Sequence, residues 1–418
     1  MSMLMDAQAG ALEWIDHHRE SLIDFAIRLV STPSPNPPGD ELAVAREVEN
    51  QLRHLTFNDI TITGPRLERA NLICHYATGR QGPTLLLNGH LDTKPPVPRE
   101  AWKTDPYQGV IKSGRLYGLG ASDMKGPDAA LVYGLAAAVQ VGAKNLCGQV
   151  QLVLSADEEG ALLTDGARYL VEEVGIRADA ALIAEPCGIV KPWEMIPLIS
   201  RGVCCVRFFV KGTQTHSSIS DRIPVVNASL EASRLLLFLK DHLRLEYPPT
   251  PLCPQGPTIN LGATLKSGQA HAMVAGEAEF SADIRTLPGM SQTQVAADIE
   301  RALSAFRQQY PQAQITWEFF PGRLAWIEAT EINRDLPLVQ ALRKAATQVL
   351  GEPPPFGYFP GGTDATWFQG MAGIPTIPGF GPGMLPNCHQ PNEFILVDEL
   401  IQAAKIYALT ILNYLGEG

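Results

Sequence analysis

No uninterrupted apolar run in the 418-residue sequence approaches the ~18 residues of a membrane-spanning helix, so no membrane span is expected. The first ten residues have neither a basic n-region nor an apolar stretch of about 7–15 residues, so no secretion signal is expected. Cysteine is scarce and unpatterned. The seven residues, Cys74, Cys147, Cys187, Cys204, Cys205, Cys253 and Cys388, are odd in number and show no C-x-x-C spacing. In a long chain without a secretion signal they read as reduced packing residues, which implies a cytoplasmic setting. Basic residues are outnumbered: 33 Lys and Arg against 44 Asp and Glu leave a formal charge of −11. Nucleic acid is disfavoured as a partner, because phosphate binding needs a basic face. An anionic small substrate stays compatible, since bound metal ions reverse the field locally. Internal repeats and low-complexity segments are absent.

What is present is the composition of a globular protein, 45% hydrophobic and 18% charged. The length suits two domains. Leu12, Ile15, Leu22, Phe25 and Leu29 fall at helical spacing and predict one amphipathic helix over 11–31. It ends at the proline-rich 31–40, where backbone donors are lost. Apolar runs at 84–87, 150–154, 180–184 and 374–377 then alternate with helical stretches such as 129–141. Continuous runs of this kind mark buried parallel strands, so an α/β core with a mostly parallel sheet is expected. From about 197 the texture changes. Strands at 203–211, 258–265, 278–285 and 314–319, with helices at 225–242 and 292–307, give the order βαββαβ, the ferredoxin-like pattern. Helix 336–350 and the last apolar strand return to the core. The expected division is a catalytic domain of 1–196 and 323–418 interrupted by an inserted domain at 197–322.

The chemistry sits directly after the predicted core strands. Run 84–87 leads into Asn88-Gly-His90-Leu-Asp92, run 150–154 into Asp157-Glu158-Glu159-Gly160, and run 180–184 into Glu185-Pro186. After 374–377 a Gly/Pro loop carries Asn387-Cys-His389, and Asp123 lies just ahead of a helix. Open α/β sheets bind ligands beyond the carboxyl ends of their strands. Five potential metal ligands therefore converge there: His90, Asp123, Glu159, Glu185 and His389. Each alone has a plainer reading. His-x-Asp is commonly a turn, paired glutamates a solvated face, Glu-Pro a turn, and a lone histidine a donor to a carbonyl. Their joint placement favours metal. Two imidazoles and three carboxylates suit zinc, cobalt or manganese better than magnesium or calcium. One carboxylate must bridge if two ions are each to keep an open position.

These motifs resemble the M20 family of metallopeptidases and deacylases. Besides the segments above, the resemblance rests on Ser122-Asp-Met-Lys-Gly126 and Gly212-x-x-x-His216-Ser-Ser, and it runs from Leu29 to Glu393. It implies a di-metal amidohydrolase holding two divalent ions per subunit, zinc first, with cobalt or manganese as alternatives. His90, Asp123 and Glu185 would hold one ion, and Asp123, Glu159 and His389 the other. Asp92 would fix the His90 ring, and Glu158 would be the general base toward a water shared by the ions. The inserted domain would act as lid and dimerisation domain, with His216 helping to stabilise the oxyanion in a partner's site. A cis peptide at Asp123–Met124 is also implied. The substrate would be a small amide or peptide, by default an N-acyl amino acid.

The pattern departs from the family at the substrate. Where members that bind an α-amino-acid carboxylate carry Asn-Val-(Val/Ile)-Pro, this chain has Ala272-Met-Val-Ala275. His271 would substitute for the missing amide only if the loop shifts by one residue. Arg285 could still grip a carboxylate or form an ion pair within the sheet, and Gly362 and Thr363 match a pocket-lining loop. An aryl amide or arylamine therefore stays open as substrate. A catalytically silent metal-binding protein is the alternative of another class.

Overall fold

The structure is a computed structural model that describes residues 2–160 and 163–416. In chain order it opens with helices α1 (Ser2–His17), α2 (Arg19–Val30) and α3 (Leu42–His54). Strands β1 (Asp59–Thr63), β2 (Asn71–Ala77) and β3 (Thr84–His90) follow, then α4 (Lys125–Gly142), β4 (Gln149–Ser155) and β5 (Ala180–Ile183). Next come β6 (Gly202–Lys211), α5 (Ala228–His242), β7 (Thr258–Ser267), β8 (Glu277–Thr286), α6 (Gln292–Gln309) and β9 (Gln314–Phe319). The chain closes with α7 (Pro337–Leu350), β10 (Thr376–Ile377) and α8 (Val397–Leu415). No described helix is long and apolar enough to cross a membrane.

The chain divides into two compact units. The first comprises Met1–Ser200, Thr330–Phe359 and Thr363–Gly418. Its main sheet has the order β1-β2-β4-β3-β5-β10. β4, β3, β5 and β10 pair in parallel, whereas β2 is antiparallel to both β1 and β4. The sheet is mixed, with β2 the one strand that runs against the other five. β2 lacked a clear signal, since Asn71–Ala77 carries His75 and Tyr76. The single helix expected over 11–31 is corrected. The backbone leaves helical geometry at His18 (φ −99°, ψ 12°), whose ring stacks on Trp14 at 3.8 Å.

Burial on both faces explains the continuous apolar runs. Leu85, Leu86 and Leu87 of β3 are all sealed from solvent. Leu86, Val153 and Ala181 join one cluster with Leu170, Phe368 and Ile374. α8 packs along α4, and Gly134 permits the approach, since a Cβ there would stand 2.8 Å from the Tyr407 Cβ. Most of α8 is buried, and its unburied polar positions, Asp398, Gln402, Lys405 and Asn413, make only a narrow stripe along one face.

The second unit, Arg201–Ala329 with Pro360–Gly362, has a four-stranded antiparallel sheet of order β7-β8-β6-β9. With α5 and α6 this is the ferredoxin-like arrangement. Phe208 and Phe280, stacked at 4.8 Å on adjacent strands, are fully buried with Phe306 of α6.

Candidate metal centre

The carboxyl ends of β3, β4 and β5 deliver His90, the Asp157–Glu159 turn and Glu185 to one place. The start of α4 adds Asp123, and a turn after Leu385–Asn387 adds His389. Asp123 lies between the two imidazoles. Its Oδ1 is 3.1 Å from His90 Nε2, and its Oδ2 is 3.0 Å from His389 Nε2. Glu185 Oε1 lies 3.6 Å from His90 Nε2, and Glu159 Oε1 lies 2.7 Å from His389 Nε2. His90, Asp123, Glu159 and Glu185 are buried, while the His389 side chain is 48% exposed. Glu158 is half-buried, and it too offers an oxygen within 4.8 Å of donor atoms of His90 and Glu185.

Electrostatics reinforce the geometry. Burial pushes the Glu158 and Glu185 carboxyls well above their ordinary pKa, aided by the neighbouring acids. Burial disfavours charge on His389, but hydrogen bonds to Asp123 and Glu159 outweigh it and push its pKa up to about 11. A cation bound among these carboxyls would favour their ionised forms. The His90 ring is held by Nδ1, 2.9 Å from the Asp92 carbonyl oxygen and 3.5 Å from Asp92 Oδ1. In a neutral ring with its proton on Nδ1, the Nε2 lone pair would be free for an ion held beside Asp123, the carboxylate–histidine arrangement of metal sites. The residues present fit two divalent ions sharing one carboxylate.

Besides Asp92, several residues that position this cluster have no local signal in the sequence. Asp92 accepts the backbone N–H groups of Glu158 (3.2 Å) and Glu159 (3.0 Å). Asn36 donates to Asp92 Oδ2 (2.9 Å) and to Asp157 Oδ1 (3.1 Å). Asp157 has φ +57°, a left-handed conformation that sets up Glu158 behind it. Glu393 accepts N–H groups from Gly120, Ser122 and Asp123 at 2.8–3.1 Å, fixing the loop that carries Asp123. The Asp123–Met124 peptide is cis. Arg69, 4% exposed, pairs with Glu41 (2.5 Å), Asp157 (2.8 Å) and Asp165 (3.2 Å). Arg69→Met would leave buried carboxylates without their partner, so denaturant unfolding should show a loss of about 3–5 kcal/mol. A loss below about 1 kcal/mol would show that the network does not brace the turn.

The remaining candidates lie elsewhere. His216, His271 and Arg285 belong to the second unit. Thr215–His216 pairs with Met273–Val274 in a short ladder, which places the His271 loop beside His216. The Ser218 N–H donates to His216 Nδ1 (3.2 Å), so the neutral ring carries its proton on Nε2. Ala272 holds φ +65° and His271 is exposed. Arg285 is engaged by Asp283 at 2.9 Å on its own strand. Gly362 falls in the second unit and Thr363 in the first, where Thr363 is buried and its hydroxyl accepts the Ala365 N–H.

The family model for peptidase family M20/M25/M40 matches residues 86–413. The chain belongs to the M20 family. A succinyl-diaminopimelate desuccinylase of Alkalilimnicola ehrlichii is 30% identical over 345 residues, covering 81% of this chain and 86% of that protein. An acetylornithine deacetylase of Pasteurella multocida is 30% identical over 353 residues, covering 83% and 84%. An M20 family metallo-carboxypeptidase of Sulfolobus solfataricus superposes with a TM-score of 0.72 at 19% identity, covering 94% of this chain and 98% of that one. The chain is thus an M20 hydrolase with the mixed α/β fold of that family.

Proposed function

We propose that this M20 protein hydrolyses the amide bond of an N-acyl amino acid or small peptide at a di-metal site. The observation that carries the reading is the Asp123 carboxylate, with one oxygen turned to each of two histidines. His90, Asp123 and Glu185 would hold one ion, and Asp123, Glu159 and His389 the other. When bound, the ions would supply an acidified water and a Lewis acid for the scissile carbonyl, with zinc the first choice and cobalt or manganese accepted by the same donors. Glu158 takes a proton from the attacking water and returns it to the departing nitrogen. Asp92 keeps His90 in one tautomer and holds the Glu158 backbone in place. His216 presents its Nε2–H to the developing oxyanion.

We assign the second unit to a homodimer in which His216 acts on a partner's substrate. Leu265 on β7 and Leu230 and Leu237 on α5 are 56–59% exposed, which suits burial against a second copy. A fully active, monodisperse monomer in sedimentation would remove that assignment. Seven cysteines without a disulfide fit a reducing, cytoplasmic setting. On the substrate side, Ala272 offers no side-chain amide and Arg285 is shared with Asp283, so His271, Gly362 and Thr363 complete the candidate contacts.

The test is amine release across N-acyl amino acids, dipeptides, aryl amides and arylamines, each with a chelated control. Chelator-sensitive turnover on the first two classes is expected. Turnover confined to the aryl classes would move the substrate assignment, and silence throughout with two ions bound would favour a binding protein.

A further inference from the structure

Glu159 is contacted from two sides. His389 Nε2 approaches Oε1, whereas the Lys94 ammonium lies 3.0 Å from Oε2 and 2.5 Å from the Glu159 carbonyl oxygen. The backbone around Lys94 is pinned. The Thr93 N–H donates to the Ser34 carbonyl (3.0 Å), the Thr93 carbonyl accepts the Asn36 N–H (2.8 Å), and Pro95 follows. The Lys94 side chain is nevertheless 38% exposed, so it can leave Glu159 for solvent without stranding a buried charge. Among the described residues, no lysine stands within ion-pair distance of Asp123 or Glu185. One half of the site therefore holds a built-in cation and the other half does not.

Resting on the di-metal reading above, we infer that Lys94 competes with the ion bound by Glu159 and His389, and so makes the two ions load with unequal affinity. Lys94 neutralises part of the charge that would attract this ion and repels it once it arrives. Even at a water-like dielectric, a unit charge and a dication a few ångströms apart change an affinity by at least about tenfold. The ion at His90 and Glu185 stands farther from Lys94, which among the described residues pairs only with Glu159, so it feels less of this repulsion and loads first.

The test titrates zinc into metal-stripped wild type, Lys94→Met, Lys94→Gln and Lys94→Arg by calorimetry, counting ions per chain. Methionine removes the charge, glutamine keeps a hydrogen-bond donor without it, and arginine keeps it. The second binding step should tighten at least about tenfold in Lys94→Met and Lys94→Gln, while Lys94→Arg follows wild type. The first step should tighten less than the second in the uncharged variants and stay near wild type in Lys94→Arg. A looser second step in the uncharged variants would make Lys94 a positioning donor for Glu159, and an unchanged one would make it a bystander. Either result overturns the inference alone. Wild type that takes up fewer than two ions overturns the di-metal reading and the inference with it.

Discussion

Glu158→Gln should lower kcat by about 10²–10⁴-fold while KM and the metal content stay near wild type. The reason is positional. Glu158 sits one residue before the proposed ligand Glu159, and its backbone N–H is tied to Asp92 Oδ1. Glutamine keeps the shape and the hydrogen-bonding reach of the side chain but cannot accept the proton of the attacking water. A competing role is explicit in the geometry, because Glu158 also comes within ligand distance of His90 and Glu185. The two roles separate cleanly. A ligand replaced by glutamine would lose an ion together with turnover, whereas a base would lose turnover alone. Steady-state kinetics paired with metal analysis on one sample reads both, and near wild-type kcat would remove Glu158 from the chemistry.

The second large effect is expected at Asp123. Its two oxygens lie 3.1 Å and 3.0 Å from the two imidazoles, so Asp123→Ala withdraws a donor from each ion at once. Residues that merely orient metal ligands are worth ~10–100-fold in affinity, and the loss of a shared ligand should exceed that. Activity should fall to background with it. The metal-free protein should respond too. Burial raises the Asp123 carboxyl, but hydrogen bonds to His389 and His90 outweigh it and hold the group below its ordinary range, so deletion removes favourable contacts as well as like-charge repulsion. Thermal unfolding should therefore show an apo Tm at or below that of wild type and little of the rise that zinc gives wild type. An Asp123→Ala protein that still binds two ions tightly would show that the carboxylate is not shared.

Much of this site is legible in the residues, because three of the five candidate ligands, His90, Glu159 and Glu185, lie at or just past the ends of buried strands. β3, β4 and β5 are buried on both faces, and burial of that kind writes itself into the sequence as mostly apolar runs, interrupted in β4 only by Gln151 between Val150 and Leu154. The antiparallel edge is less legible. β1 and β2 carry threonine, histidine and asparagine, so neither shows a continuous apolar run. α8 is less legible too, because burial over most of its surface leaves only the narrow polar stripe of Asp398, Gln402, Lys405 and Asn413. The braces around the metal ligands are invisible for a third reason. Asn36 reaches Asp157 across 121 positions and Glu393 reaches Asp123 across 270, so no local pattern announces either contact. Division of the ligands between two ions came from the family resemblance, and chain-specific features such as the Lys94 contact emerge only with the fold.

The most direct test of the account is to titrate zinc into metal-stripped protein while counting bound ions and measuring amide hydrolysis on the best substrate of the panel. Turnover should be absent without metal, appear as ions bind and saturate at two per chain, with Asp123→Ala inert throughout. Full turnover by metal-stripped protein, or saturation at one ion per chain with no need for Asp123, would contradict it.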